Sequence, residues 1–226
     1  MTAGPPSGRV GILGGTLDPI HVGHIEMGLA AREALALDAV LIMPARVPPH
    51  RHERPSASIF HRFAMAALAV STHERFTVSD EELCADGPSY TALTFERLAA
   101  RGLAAARTFF ILGADAFAEI DTWYRYPAVL DLAHFVVVSR PGMPADRLSQ
   151  RLPHLRERLR APAPDVTPVE PSVFLVDART PDVSSTVIRS RLRAGDSISG
   201  LVPSAVEGHI LRHRLYVDTP TANHLK

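Results

Sequence analysis

Arg9-Val10-Gly11-Ile12-Leu13-Gly14-Gly15-Thr16-Leu17-Asp18-Pro19-Ile20-His21-Val22-Gly23-His24 is a short apolar run, a glycine turn and the start of a helical pattern. Residues 9–13 read as a buried strand and 21–36 as a helix. The glycines fall at 11, 14 and 15, so this is not the G-x-G-x-x-G dinucleotide fingerprint. Adjacent Gly14 and Gly15 after a strand let the backbone pass close to a ligand, and Thr16 adds an amide and a hydroxyl. His21 and His24 stand at i and i+3, on one face of the first helical turn. Free amides and the positive end of the helix favour an anion there. A histidine pair alone could equally be a solvated surface feature or part of a zinc site. With Gly-Gly-Thr in front and no convincing third zinc ligand nearby, it reads as a phosphate trap.

The same alternation continues outward. Strands are expected at 39–43, 76–79, 108–112, 135–138 and 173–176, and helices at 58–71, 90–101, 114–120, 126–132 and 145–160. Such a chain builds an α/β fold, a Rossmann-like doubly wound parallel sheet with helices on both faces. Its ligands sit in loops at the carboxyl ends of the strands, near the point where strand order reverses. The prolines of 47–55 and 161–171 mark irregular stretches, the second a surface linker. Helical patterns resume after residue 184, and the tail from Asp218 is polar. The expected organisation is a single domain over 1–226, with a core at 9–182 and a small C-terminal helical part at 183–217.

Composition narrows the chemistry. The 226 residues are 46% hydrophobic and 21% charged, the balance of a soluble globular chain. Basic and acidic residues number 24 each, so no global field draws the chain to nucleic acid or an anionic membrane, and neither is an expected partner. There is no apolar run of membrane-spanning length and no signal-peptide layout at the start, so a cytoplasmic location is expected. Cys84 is the only cysteine, which excludes an internal disulfide and a Cys-rich zinc site. Lys226 is the only lysine, which excludes a P-loop, a kinase strand lysine and a Schiff-base amine. Phosphates must be handled by Arg, His and backbone amides.

GGTLDPIHVGH at 14–24 resembles the GGTFDPxHxGH signature of the bacterial-type nicotinate mononucleotide adenylyltransferases, within the nucleotidyltransferases marked by H-x-G-H. Leu17 replaces the family's usual Phe. The resemblance continues in order over about residues 10–216. It implies that His21 and His24 are catalytic, and that they bind ATP together with Gly14, Gly15, Thr16, Gly113, Asp115, Ser184, Ser185, Thr186 and Arg189. Val183–Arg189 is similar to the family's ISSTxIR motif, and Gly113-Ala114-Asp115 with Trp123 to its GxD…W segment, where the Asp meets ribose hydroxyls and the Trp stacks on the pyridine ring. For nicotinate mononucleotide it implies His50 and Arg51 (the family's PPHK, with Arg for Lys), Tyr90 and Thr91 (its SYT), Trp123 and Tyr124, and Arg140 (its RPG).

The activity implied is in-line attack by the phosphate of nicotinate mononucleotide on the α-phosphorus of ATP. Mg²⁺ would be bound mainly through ATP phosphates, with no metal ligand assigned to the protein, and a homo-oligomer is left open. The rival readings are another H-x-G-H enzyme, such as a pantetheine-phosphate adenylyltransferase, and a non-catalytic nucleotide sensor on the same fold. A nucleic-acid-binding module is weaker, because no basic stripe is present.

Overall fold

The computed structural model describes residues 8–49, 54–164 and 169–217. Its seven strands are β1 (Val10–Gly15), β2 (Ala39–Pro44), β3 (Phe76–Val78), β4 (Thr108–Gly113), β5 (His134–Val138), β6 (Leu159–Arg160) and β7 (Val173–Val176). Every strand pairing is parallel, in the order β3-β2-β1-β4-β5-β7-β6. The chain winds outward from β1 to β3, then returns to set β4 on the other side of β1. The switch point therefore lies between β1 and β4. The helices are α1 (Val22–Leu35), α2 (Ile59–Val70), α3 (Thr91–Ala100), α4 (Ala114–Phe117), α5 (Leu148–Arg151), α6 (Ser185–Ala194) and α7 (Ser204–Arg212). Among the described residues no helix is long and apolar enough to cross a membrane.

Strand side chains alternate between two cores, as the two-residue period requires. Leu13, Ile42, Ile111, Val136, Val138 and Val176 face one way, against α1, α2, α6 and α7 through Ala31, Met65, Ile188 and Ile210. Ile12, Met43, Leu112, Phe135 and Val137 face the other way, against α3 and the 114–133 region through Phe95, Leu98, Phe117 and Val129. The loop after β3 is tied to α3 by buried carboxylates. Glu81 pairs with Arg97 at 3.2 Å and Arg101 at 2.8 Å, and Glu82 with Arg97 at 2.5 Å. Two charges buried together need such pairing to offset their desolvation.

The strands fall within a residue or two of the expected runs, and α1, α2 and α3 within about one residue of theirs. The 145–160 segment differs. It is broken into a 3₁₀ turn at Ala145–Arg147, α5, a 3₁₀ stretch at Pro153–Arg158 and the edge strand β6. Pro153 lacks the amide a continuing helix needs, so the amphipathic pattern holds only in pieces. Around 114–120 and 126–132 the helical residues are short turns at Ala114–Phe117, Ile120–Thr122 and Ala128–Asp131. These turns still pack on the sheet, through Phe117, Ile120, Val129 and Leu130.

Candidate active site

The loops leaving β1, β2, β4, β5 and β7 gather at one edge of the sheet. His21 is the N-cap of α1, and His24 lies one turn in. Their rings lie 3.7 Å apart, centroid to centroid, at 34°. The His21 amide donates to His24 Nδ1 at 3.2 Å. That bond makes Nδ1 an acceptor and leaves the proton of the neutral ring on Nε2, a donor on the far side. Burial pushes the His21 imidazole down to about 3, and the Arg140 guanidinium adds to the effect. His24 is also held well below the usual histidine range, first by burial, then by His21 and Arg140. Both rings are therefore neutral in the free protein. His21 Nδ1 is buried without a hydrogen-bond partner among the described residues. Gly23 makes this packing possible, because a Cβ there would lie 3.1 Å from both His21 Nδ1 and Val183 Cγ1.

Arg140 opens a tight turn after β5, with reciprocal Arg140–Met143 backbone bonds of 3.1 and 2.9 Å and Gly142 at φ 79°. Its side chain packs where Gly113 has none, since a Cβ on Gly113 would lie 3.1 Å from Arg140 Cγ. Asp115 is exposed on the first turn of α4. Arg140 Nη2 also reaches the Val183 carbonyl at 3.5 Å, joining the turn to the loop before α6. There Ser184 caps the helix by accepting from the Val187 amide at 3.2 Å. Ser185 Oγ donates to the Pro19 carbonyl at 2.8 Å, and Arg189 Nη1 to the Asp18 carbonyl at 2.7 Å. Arg189 Nη2 lies 3.3 Å from Thr186 Oγ1. The two sequence motifs are thus stitched together, with Ser185 and Arg189 turned onto the carbonyls of the first loop.

A second group lies beside this one. Tyr90 and Tyr124 stack at 4.4 Å and 27°, which brings the start of α3, with Thr91, against the segment holding Trp123. Trp123 meets Phe110 and Phe135 edge-on at 6.1 and 6.5 Å. A Cβ on Gly14 would lie 3.0 Å from Phe110, so this ring bridges the tryptophan and the glycine loop. Ser89 and Val47 exchange hydrogen bonds of 2.9 and 3.2 Å, tying the loop after β2 to the same place. His50 and Arg51 lie outside the described residues. Among the described residues no three His, Cys, Asp or Glu side chains gather to hold a metal.

Asp18, Arg62 and Tyr216, which the sequence analysis did not single out, are buried beside this loop: Arg62 donates to the Thr16 carbonyl at 2.7 Å and Tyr216 to Asp18 at 2.8 Å. Asp18 stands in the decisive stretch itself. Arg62 and Tyr216 lie far off in the chain, and nothing local marks a charged or phenolic side chain as buried.

Fold and site together define a nucleotidyltransferase: a doubly wound sheet with H-x-G-H at the first strand-to-helix turn, matching the Cytidylyltransferase-like family over residues 12–191. A relative from Desulfatibacillum aliphaticivorans, named "Probable nicotinate-nucleotide adenylyltransferase", is 37% identical over 92% of this chain and 100% of its own. One from Chromohalobacter salexigens bearing the same name is 41% identical over 92% of this chain and 95% of its own. The chain belongs to the nicotinate-nucleotide adenylyltransferase family. Among solved structures it is similar in fold to the Plasmodium falciparum nicotinic acid mononucleotide adenylyltransferase complexed with APC, with a TM-score of 0.67 at 16% identity, over 92% of this chain and 97% of that one.

Proposed function

We propose that this chain, as one domain in the cytoplasm, transfers the AMP of ATP to nicotinate mononucleotide, forming nicotinate adenine dinucleotide and pyrophosphate. The observation that carries the reading is the neighbourhood at the β1/β4 switch point. A neutral histidine pair beside Arg140 stands at the turn after β1, and Phe110, which faces Gly14 of that turn, meets Trp123 next to the Tyr90–Tyr124 stack. The histidine group suits polyphosphate, and the aromatic group a flat cationic ring.

In the reaction a phosphate oxygen of the mononucleotide forms a bond to the α-phosphorus while the bond to the bridging oxygen of pyrophosphate breaks. The nucleophile is already an anion, so no general base is required. Catalysis comes from alignment, which can contribute roughly 7–11 kcal/mol, and from stabilising charge on the phosphates. His24 Nε2–H and His21 donate to the transferring and leaving phosphates, with Gly14, Gly15, Thr16 and the start of α6 around them. Gly113 and Asp115 receive the ribose, and Arg140 the mononucleotide phosphate. The substrate form is MgATP. Mg²⁺ would come with the ATP phosphates and would neutralise part of their charge, which fits a site furnished with imidazoles, amides and guanidinium groups.

Around the pyridine carboxylate, Thr91 and the amides at the start of α3 are donors. A carboxylate can only accept, whereas a carboxamide must turn an NH₂ toward one of them and leave buried groups unpaired. Stacking on Trp123 hardly separates the two rings. The test is pyrophosphate release with ATP and either mononucleotide. We expect kcat/KM to favour the acid by a factor on the order of 10⁴. A ratio near one, or a preference for the amide, overturns the assignment. No release with either, alongside release with phosphopantetheine, moves the chain to the rival transferase.

A further inference from the structure

The loop that would hold the triphosphate is fixed from behind by groups that touch no substrate in the reaction above. Arg62, in the first turn of α2, is only 1% exposed. Its Nη1 donates to the carbonyls of Thr16 at 2.7 Å and Ala45 at 2.6 Å, its Nη2 to Arg46 at 3.3 Å, and its Nε to Ala57 at 3.3 Å. One guanidinium therefore joins the loop after β1 to the loop after β2. Asp18, 2% exposed, accepts from the amides of Ser56 at 2.7 Å and Ala57 at 3.1 Å. It also accepts from the hydroxyl of Tyr216 at 2.8 Å, 198 positions along the chain.

Two residues of this bracket have left-handed backbones, Leu17 at φ 50° and Tyr216 at φ 66°. Side-chain-bearing residues keep such conformations only where their surroundings over-determine them. The direction of the peptides shows what is being determined. The Thr16–Leu17 peptide is trans, so with its carbonyl drawn to Arg62 the Leu17 N–H points the opposite way. The Thr16 carbonyl is thus pulled back into a buried cationic donor, and the Leu17 N–H is turned away from it. A phosphate oxygen would be repelled by an exposed carbonyl and held by an exposed N–H.

We propose that Arg62, seconded by Tyr216 through Asp18, is a positioning residue for the transfer, aiming the backbone donors of residues 14–20 at the ATP phosphates. The inference rests on the adenylyl-transfer reading. Arg62→Lys keeps the charge but loses the planar fork that spans two loops. Tyr216→Phe removes one hydroxyl and keeps the ring in the core. Both variants are compared with wild type by thermal unfolding, by calorimetric binding of α,β-methylene-ATP and of nicotinate mononucleotide separately, and by kcat per folded molecule.

Arg62→Lys should weaken the ATP analogue about tenfold and lower kcat at least about tenfold, with mononucleotide affinity within about twofold. Tyr216→Phe should shift the same two quantities in the same direction, by about threefold. A merely structural role would lower the melting temperature and the folded fraction, and would affect both ligands alike or neither. Equal weakening of both ligands, or unchanged analogue binding and kcat in folded protein, overturns the proposal. If Arg62→Lys does not fold, Tyr216→Phe decides. If wild type releases no pyrophosphate with either mononucleotide, the functional reading fails on its own, and analogue binding still decides the role of Arg62.

Discussion

At the residue scale, His21 and His24 reach the site uncharged. Burial is the main cause for both, and Arg140 acts on each. A bound triphosphate reverses the balance, since anionic oxygens beside an imidazole favour its charged form. Nucleotide binding should therefore raise both values from their depressed position and take up protons, and ATP affinity should strengthen as pH falls below the raised, bound-state value. Calorimetry in buffers of different ionisation enthalpy reads the proton count directly, and a count of zero would overturn the uptake and mean that both rings stay neutral with nucleotide bound, His24 meeting the phosphates through Nε2–H alone. His24→Ala should fold and lose at least about a hundredfold in kcat, as expected when a donor to developing charge is removed. Full kcat in a folded His24→Ala variant would take the residue out of the mechanism.

At the element scale, α7 closes against α2 partly through imidazoles. His61 Nδ1 and His209 Nε2 are 3.1 Å apart, and the His213 ring lies 5.0 and 4.4 Å from theirs. His209 is held below the usual histidine range by burial first, then by His213, His61 and Arg212. A histidine with a depressed folded-state pKa takes its proton more readily when unfolded. Its contribution to stability is therefore present above about pH 6.5 and is lost as pH falls below that value. His21 and His24 carry the same sign, so a global melt cannot single out α7. Amide exchange can: α7 should lose protection between about pH 7 and 5.5, ahead of α1 and after correction for intrinsic rates, and His209→Asn should blunt the loss. Equal protection of α7 at both pH values would contradict this.

At the scale of the whole molecule, the C-terminal segment is part of the core that carries the site. Ile198, Val202, Val206, Ile210 and Tyr216 are each 9% exposed or less and belong to the cluster that includes Leu13 and Ile42. At about 1.5–3 kcal/mol for each buried side chain, their removal costs roughly 7–15 kcal/mol. That is comparable to the whole stability of a typical domain, about 5–15 kcal/mol. A chain ending at Gly195 should therefore show no cooperative thermal transition and no fixed near-ultraviolet circular dichroism, although α6 would be intact in sequence. A cooperative melt would make this segment an accessory to the fold.

The sequence by itself determined the fold class and the address of the site. Apolar runs too short for helices, separated by helical periods, permit few arrangements other than a covered parallel sheet, and Gly14-Gly15-Thr16 with His21 and His24 marks its first loop. Chain order also carried the neighbours of that loop, because each follows a strand and all strand ends in such a sheet face one edge. Only the tertiary structure decided that Ser185 and Arg189 turn onto the first loop's carbonyls, that Phe110 bridges the glycine loop and Trp123, and that Pro153 leaves 145–160 in pieces. It alone placed Arg62 and Tyr216 behind the phosphate loop. Periodicity reports which face of an element is apolar. It cannot report that one arginine on that element is buried against the carbonyls of two distant loops, because such a contact depends on the packing of several elements at once.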